Sequence, residues 1–254
     1  MLERLPASTL RQLAMAAAVG KLDAPCAAAG LRTLVPEEAA ADVASDLSRL
    51  GSGGLAAALE ALAASAEARP AVEDLVEVVT TAPGGEGAGR STAAVVPGLF
   101  ARAEQSVLVA GYAVQRGERI FEALAARMHE RPALEVRLCL DIKRGPGDTS
   151  APGALAAGFA ARFRERDWPR GAPLPEIYYD PRSLEAARGA SVALHAKCVV
   201  VDEALALVSS ANFTPAAQER NLELGLLVRS AAVAGQIARF FEGLIAGGQL
   251  RRLA

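Results

Sequence analysis

Aromatic side chains make up only 4% of this 254-residue chain, with a single tryptophan, Trp168. That scarcity argues against a surface that holds ligands by stacking, and the abundant alanine favours close-packed helices instead. Cysteine is equally thin. Cys26, Cys139 and Cys198 are odd in number, far apart, and not at metal-ligand spacing. They imply neither a disulfide framework nor a metal knot, and fit free thiols in a reducing cytoplasm. No apolar run reaches the about 18 residues of a membrane span. The stretch from Leu13 to Val19 is too short and too acidic at its front for a secretion signal, so a cytoplasmic protein without a membrane segment is expected.

An excess of charge is missing as well. The chain has 27 basic and 29 acidic residues, a net charge of −2. Neither the part before residue 70 nor the part after it has the basic surplus of a free-standing nucleic-acid binder. A phosphate-rich substrate therefore needs a local patch, for which Arg162, Arg164, Arg166 and Arg170 are the candidates.

What is present is ordinary globular composition, 52% hydrophobic and 22% charged, enough for a sizeable core. Residues 1–70 read as helical. Ser8 or Thr9 is placed to cap a helix through Val19. A second opens at Pro36-Glu37-Glu38 and ends near Gly51, and a third spans Leu55 to Ala68. From Leu75 the pattern changes to strands alternating with helices. Strands are predicted at Leu75–Thr81, Ser106–Tyr112, Leu134–Asp141, Pro175–Tyr179, Val192–Val201, Leu205–Ser209 and Leu222–Val228. Helices are predicted around Val95–Glu104, Glu118–Met128 and Ala231–Ala246, and the segment 143–160 leads into another. This is an α/β pattern, and the alternation predicts a mostly parallel sheet covered on both faces over residues 71–254. Asp141, at a strand's C-terminal end, reads as a cap or turn residue.

The chemistry is concentrated between His195 and Glu223. Side chains alternate along a strand, so His195 and Lys197 share a face. Ser210 and Asn212 share a face of the next strand, as do Asn221 and Glu223 of the third. Three polar pairs at spacing two, amid runs of valine, leucine and alanine, point to one polar site at the sheet's end. An imidazole can attack phosphorus. A lysine and a carboxamide can hold the non-bridging oxygens, and a carboxylate can fix the histidine's tautomer. Asp202, followed by Glu203, fits a hairpin turn and a structural role. No carboxylate cluster or histidine pair implies a metal, so no cofactor is expected.

The run His195-x-Lys197 with four residues to Asp202, then Ser210-x-Asn212 and Asn221-x-Glu223, resembles the active-site motif of the phospholipase D superfamily. The looser likeness covers about residues 72–254. It implies a mixed sheet flanked by helices, preceded here by the small N-terminal helical region. It also implies a phosphohistidine intermediate and a site made where two motif copies meet. By resemblance, His195 is the nucleophile or general acid, Lys197 and Asn212 clamp the phosphate, Ser210 supports them, and Glu223 orients the histidine. The chain departs from the family's common Gly-Ser-x-Asn, having Ser209 in the glycine's place. The only other histidine, His129, lacks a following lysine, so the second half-site must come from another subunit, and a twofold homodimer is expected.

Single-motif members are mostly bacterial nucleases, and the segments LHAKCVVVD and SANFTPAAQERNLELGLLV are similar to the phospholipase D-like component of the DISARM anti-phage system. That likeness implies nucleic acid as substrate and defence-system proteins as partners. A phospholipase or phosphatidyltransferase, and a catalytically dispensable partner-binding module, remain the alternatives.

Overall fold

The computed structural model describes residues 1–85, 89–185 and 192–253. The chain divides into two compact units, Met1–Ala71 and Val72–Ala254.

The first unit is helical. Helices α1 (Ala7–Ala18), α2 (Ala40–Leu50) and α3 (Leu55–Glu67) each carry an apolar stripe at helical spacing. Leu10, Leu13 and Ala14 of α1, Val43 and Leu47 of α2, and Leu59 and Ala63 of α3 share one core. Each fully buried leucine stabilises the unit by about 1.5–3 kcal/mol. Gly51 ends α2 with a φ of 74°, a left-handed value that costs glycine nothing.

The second unit is built on nine strands, in the spatial order β2-β1-β8-β7-β6-β3-β4-β5-β9 among the described residues. In chain order they are β1 (Val76–Thr81), β2 (Arg90–Ser91), β3 (Ser106–Gly111), β4 (Glu135–Leu140), β5 (Glu176–Tyr179), β6 (Cys198–Val201), β7 (Leu205–Ser209), β8 (Glu223–Val228) and β9 (Arg251–Arg252). The helices are α4 (Val72–Leu75), α5 (Thr92–Arg102), α6 (Glu122–Glu130), α7 (Pro152–Arg162), α8 (Pro215–Glu219) and α9 (Ala231–Ala246).

Period-two burial explains the layers. Val107 and Val109 of β3 face a core with Val95, Leu99 and Phe100 of α5 and Leu124 of α6, while the intervening Leu108 and Ala110 face Ala234, Ala238 and Phe241 of α9. Cys139 and Cys198 point to the α9 side, and burial pushes their thiols up to about 12 and about 11.

Two expectations need correction. The sheet is mixed, as the family resemblance implied, and not mostly parallel, as the strand–helix alternation suggested: β1–β2, β3–β4 and β4–β5 are parallel, whereas β1–β8, β8–β7, β7–β6, β6–β3 and β5–β9 are antiparallel. Helical crossovers appear only early in the unit. From β6 to β8 a tight hairpin and a short α8 excursion reverse the chain instead. The strand expected from Val192 starts only at Cys198, so His195 and Lys197 lie in the strandless segment that leads into β6.

Candidate active site

Strand direction gathers the polar residues. Ala110 near the end of β3 pairs with Cys198 at the start of β6, and Cys198 pairs with Val208 near the end of β7. Ser209 in turn pairs with Gly225 near the start of β8. The exits of β3, β4 and β7 and the entries of β6 and β8 therefore share one end of the sheet. Tyr112, Asp141, Lys143, His195, Lys197, Ser210, Asn212, Asn221 and Glu223 all belong to that end.

His195 is exposed, and its ring leans on Tyr112 with centroids 4.4 Å apart and planes tilted by 56°. The Lys197 Nζ stands 3.2 Å from the histidine's Nδ1 and 3.3 Å from its Nε2, and donates to the His195 carbonyl at 2.8 Å. The ammonium also sits 4.9 Å from the centre of the Tyr112 ring, and Lys143 Nζ sits 3.5 Å from it. Burial lowers the pKa of Lys197 from the ordinary lysine value, opposed by Tyr112, Glu223 and Asp141 around it, while Lys143 adds to the lowering. Anything attacked by the imidazole thus meets an ammonium at once.

A second group forms around Glu223. Its Oε2 accepts from Ser210 Oγ at 2.5 Å and its Oε1 from Asn221 Nδ2 at 3.0 Å. Ser210 Oγ also accepts from the Leu224 backbone at 3.2 Å. The carboxylate expected to hold the histidine's tautomer is instead bonded to Ser210 and Asn221, and its influence reaches the other group through Lys197. Asn212 is held at its carbonyl by Gln218 Nε2 at 3.1 Å, while its buried Oδ1 has no hydrogen-bond partner among the described residues.

Ser209, in the position where glycine was the family expectation, needs no unusual backbone, because its φ is not positive. Its hydroxyl accepts from Ala211 N at 3.0 Å and so closes the turn after β7. The close approach is made opposite, at Gly225, where an added Cβ would stand 2.9 Å from the Ser209 Cβ.

Asp202 lies at the other end of β6. With Glu203 it forms a two-residue hairpin turn, φ 52° and 48°, closed by Ala204 N donating to Val201 O at 3.0 Å. Its carboxylate accepts from the backbone N–H groups of Glu104, Gln105 and Ser106 at 2.9, 2.7 and 2.8 Å. The four arginines separate. Arg162 stacks over Phe159 at 4.8 Å, pairs with Asp167 at 3.4 Å and lines a cavity next to Tyr112. Arg164, Arg166 and Arg170 are exposed and outside that cavity. His129 is exposed in the last turn of α6.

Sequence reasoning missed Tyr112, Asp141 and Lys143. Asp141 is buried, its Oδ1 accepts from Leu194 N at 3.0 Å, and its Oδ2 has no partner among the described residues. Burial pushes its carboxyl up from the ordinary value, while Leu194 N–H, Lys143 and His195 pull it down. Asp141-x-Lys143 follows β4 at spacing two, the same signal that singled out the other three pairs. Among the described residues no group of three or more His, Cys, Asp or Glu side chains is placed to hold a metal ion.

A family model described as "Cardiolipin synthase, PLD-like domain" matches residues 98–245, more than half of the chain and all of the segment from His195 to Glu223. The chain belongs to the phospholipase D-like domain family. Similar solved structures include Nuc, a phospholipase D family member from Salmonella typhimurium, at 19% identity and TM-score 0.44, covering 70% of this chain and 96% of that one. NucT from Helicobacter pylori is 13% identical at TM-score 0.42, covering 60% and 86%. Phosphatidylserine synthase from Haemophilus influenzae Rd KW20 is 12% identical at TM-score 0.47, covering 80% and 47%. No curated protein matches the chain. Among the described residues of this phospholipase D-like chain, no helix is long and apolar enough to cross a membrane.

Proposed function

We propose that the protein is a metal-independent phosphodiesterase with His195 as nucleophile, acting on nucleic acid as a homodimer. The observation that carries this reading is the exposed imidazole with the Lys197 ammonium within 3.3 Å of both ring nitrogens. One ring nitrogen of His195 attacks phosphorus, forming an N–P bond as the P–O bond to the leaving group breaks. The Lys197 ammonium and the Asn212 amide stabilise the charge on the non-bridging oxygens. The partner's His195 gives its proton to the departing oxygen, then takes one from the water that hydrolyses the phosphohistidine. Ser210, Asn221 and Glu223 hold one another and set the field behind Lys197.

A homodimer is supported by more than the histidine count. Val78, Val208, Leu224 and Leu226 lie on one face of β1, β7 and β8, beyond the cover of α9, and are exposed by 44, 46, 61 and 44%. Such an exposed apolar strip suits a twofold contact between two copies of the chain. The likeness of the motif segments to DrmC, the phospholipase D-like protein of DISARM, supports a nuclease-like role in anti-phage defence, with other defence proteins as partners.

A phosphatidyltransferase is the second reading, favoured by the same apolar strip and by the family model's description. Hydrolysis of bis(p-nitrophenyl) phosphate in excess EDTA tests the chemistry, with retention expected in the wild type and loss in His195→Ala. Binding to labelled single-stranded DNA in preference to anionic liposomes is the expected result for the nuclease, and the reverse selects the lipid reading.

A further inference from the structure

The nucleophile has no carboxylate to orient it, since both Glu223 oxygens are taken by Ser210 and Asn221. The backbone around His195 is tied on both sides. Leu194 N donates to Asp141 Oδ1 at 3.0 Å, and Ser209 N donates to Lys197 O at 3.0 Å. That leaves the two side-chain torsions of an exposed residue, which settle in one well only if something packs on the ring. Two neighbours do. The Lys197 Nζ stands 3.2 and 3.3 Å from the ring nitrogens, at the end of a flexible four-carbon stem. The Tyr112 ring lies with its centre 4.4 Å from that of the imidazole.

Tyr112 is mounted on rigid chain. It follows β3, which lies between β6 and β4 in the sheet. Gly111 O, just before it, accepts from Asp141 N at 3.0 Å. Just after it, Phe213 N donates to Ala113 O and Gln115 N donates to Phe213 O, each at 3.1 Å. The tyrosine is half-buried, and Lys143 Nζ, carried past the end of β4, stands 3.5 Å from the centre of its ring. An ammonium at that distance is held by the π face, so Lys143 backs the tyrosine as the tyrosine backs the histidine. A ring contact also takes no hydrogen bond from either imidazole nitrogen. It restrains the imidazole without occupying the atom that attacks.

We propose that Tyr112 is a positioning residue: its ring holds the His195 imidazole in the orientation for attack, and Lys143 holds the tyrosine ring. The inference rests on the reading of His195 as nucleophile and deepens it. The phenol hydroxyl has no part in this role, which belongs to the ring alone.

The test is steady-state hydrolysis of bis(p-nitrophenyl) phosphate by Tyr112→Phe, Tyr112→Leu, Lys143→Met and the combined Tyr112→Leu and Lys143→Met variant. NMR relaxation of the imidazole carbons runs beside it, and the chain's other histidine, the exposed His129, serves as the mobile reference. Tyr112→Phe keeps the ring and should stay within about twofold of the wild type. Tyr112→Leu should lower kcat roughly ten- to hundredfold with KM held, because a misplaced nucleophile costs turnover and not binding. Lys143→Met should lower kcat roughly two- to fivefold, and should add nothing once Tyr112 is replaced by leucine. The His195 ring should be ordered in the wild type and Tyr112→Phe, and as mobile as His129 in Tyr112→Leu. Full kcat in Tyr112→Leu overturns the inference. So does a loss in Tyr112→Phe as deep as in Tyr112→Leu, which gives the work to the hydroxyl. A raised KM at unchanged kcat overturns it too, by making the ring a substrate contact. A wild-type His195 ring as mobile as His129 overturns it even where a variant does not fold. In each of these cases hydrolysis by the wild type, lost in His195→Ala, leaves the nucleophile reading standing. A wild type that hydrolyses no phosphodiester removes that reading and the inference with it.

Discussion

The two ends of β6 carry polar residues of the same motif and treat them in opposite ways. At the Asp202 end the carboxylate is saturated by three backbone N–H groups and locks the start of β3 to a hairpin turn. At the His195 end, Asp141 Oδ2 and Asn212 Oδ1 are buried without partners among the described residues, and the imidazole is exposed. A polar group that serves the fold has its hydrogen bonds filled by the fold. A group that serves a ligand is held by part of its bonding capacity and leaves the rest open. Substitutions at the two ends should therefore separate stability from turnover.

The largest expected effect is at His195. His195→Ala abolishes phosphodiester hydrolysis and leaves the thermal midpoint where it was, because the side chain is exposed and touches only the Tyr112 ring and the Lys197 ammonium among the described residues. Next is Lys197→Ala, which lowers kcat by roughly 10²–10³-fold through loss of a preorganised charge at the phosphate. Steady-state kinetics on the small diester measures both. On the proposed homodimer, Leu226→Asp in the exposed apolar strip should sediment as a monomer where the wild type sediments as a dimer, with activity lost in proportion; an active monomer would break the two-copy site.

Stability predictions follow at smaller scale. Asp202→Ala leaves three backbone donors without their carboxylate and should lower the midpoint by about 4–8 °C, with turnover by the folded protein retained. Asp141→Asn works in the other direction. Burial holds the Asp141 carboxyl above its unfolded-state pKa, so the ionised form is penalised in the folded protein. Stability from this residue is greatest in acid and falls as pH rises through the unfolded and then the folded pKa. A neutral amide removes that penalty, and the midpoint at pH 7 should rise by about 2–4 °C, with no gain at a pH below both values.

Much of this contrast was legible in the sequence, and the rest was hidden for definite reasons. The helices of the first unit follow from local period alone: Leu10, Leu13 and Ala14 mark one face of α1, and Gly51 ends α2. α9 was readable to the residue, because Ala231–Ala246 is one amphipathic stripe. Strand polarity was not, since it depends on which strands become neighbours, and β6 pairs with β3 across the 86 residues between Gly111 and Cys198. The segment before Cys198 looks like strand because Val192, Ala193, Leu194 and Ala196 keep it apolar, yet its bond to the neighbouring strand is Ser209 N donating to Lys197 O, one residue before β6. His195, Lys197, Ser210, Asn212, Asn221 and Glu223 were singled out by spacing. Asp141 and Lys143 carry the same spacing and were passed over because one such pair alone is common; only topology places it beside the others. Glu223 shows the limit of role assignment, since its two oxygens serve Ser210 and Asn221.

The central claim is that His195 forms a bond to phosphorus. Rapid quenching of the wild type during turnover of bis(p-nitrophenyl) phosphate, followed by peptide mass analysis, tests it most directly. The account predicts one p-nitrophenylphosphoryl group on the peptide containing His195, formed as nitrophenolate leaves in a first-turnover burst, and absent from His195→Ala. Turnover with no burst and no adduct, or an adduct on another residue, would contradict it.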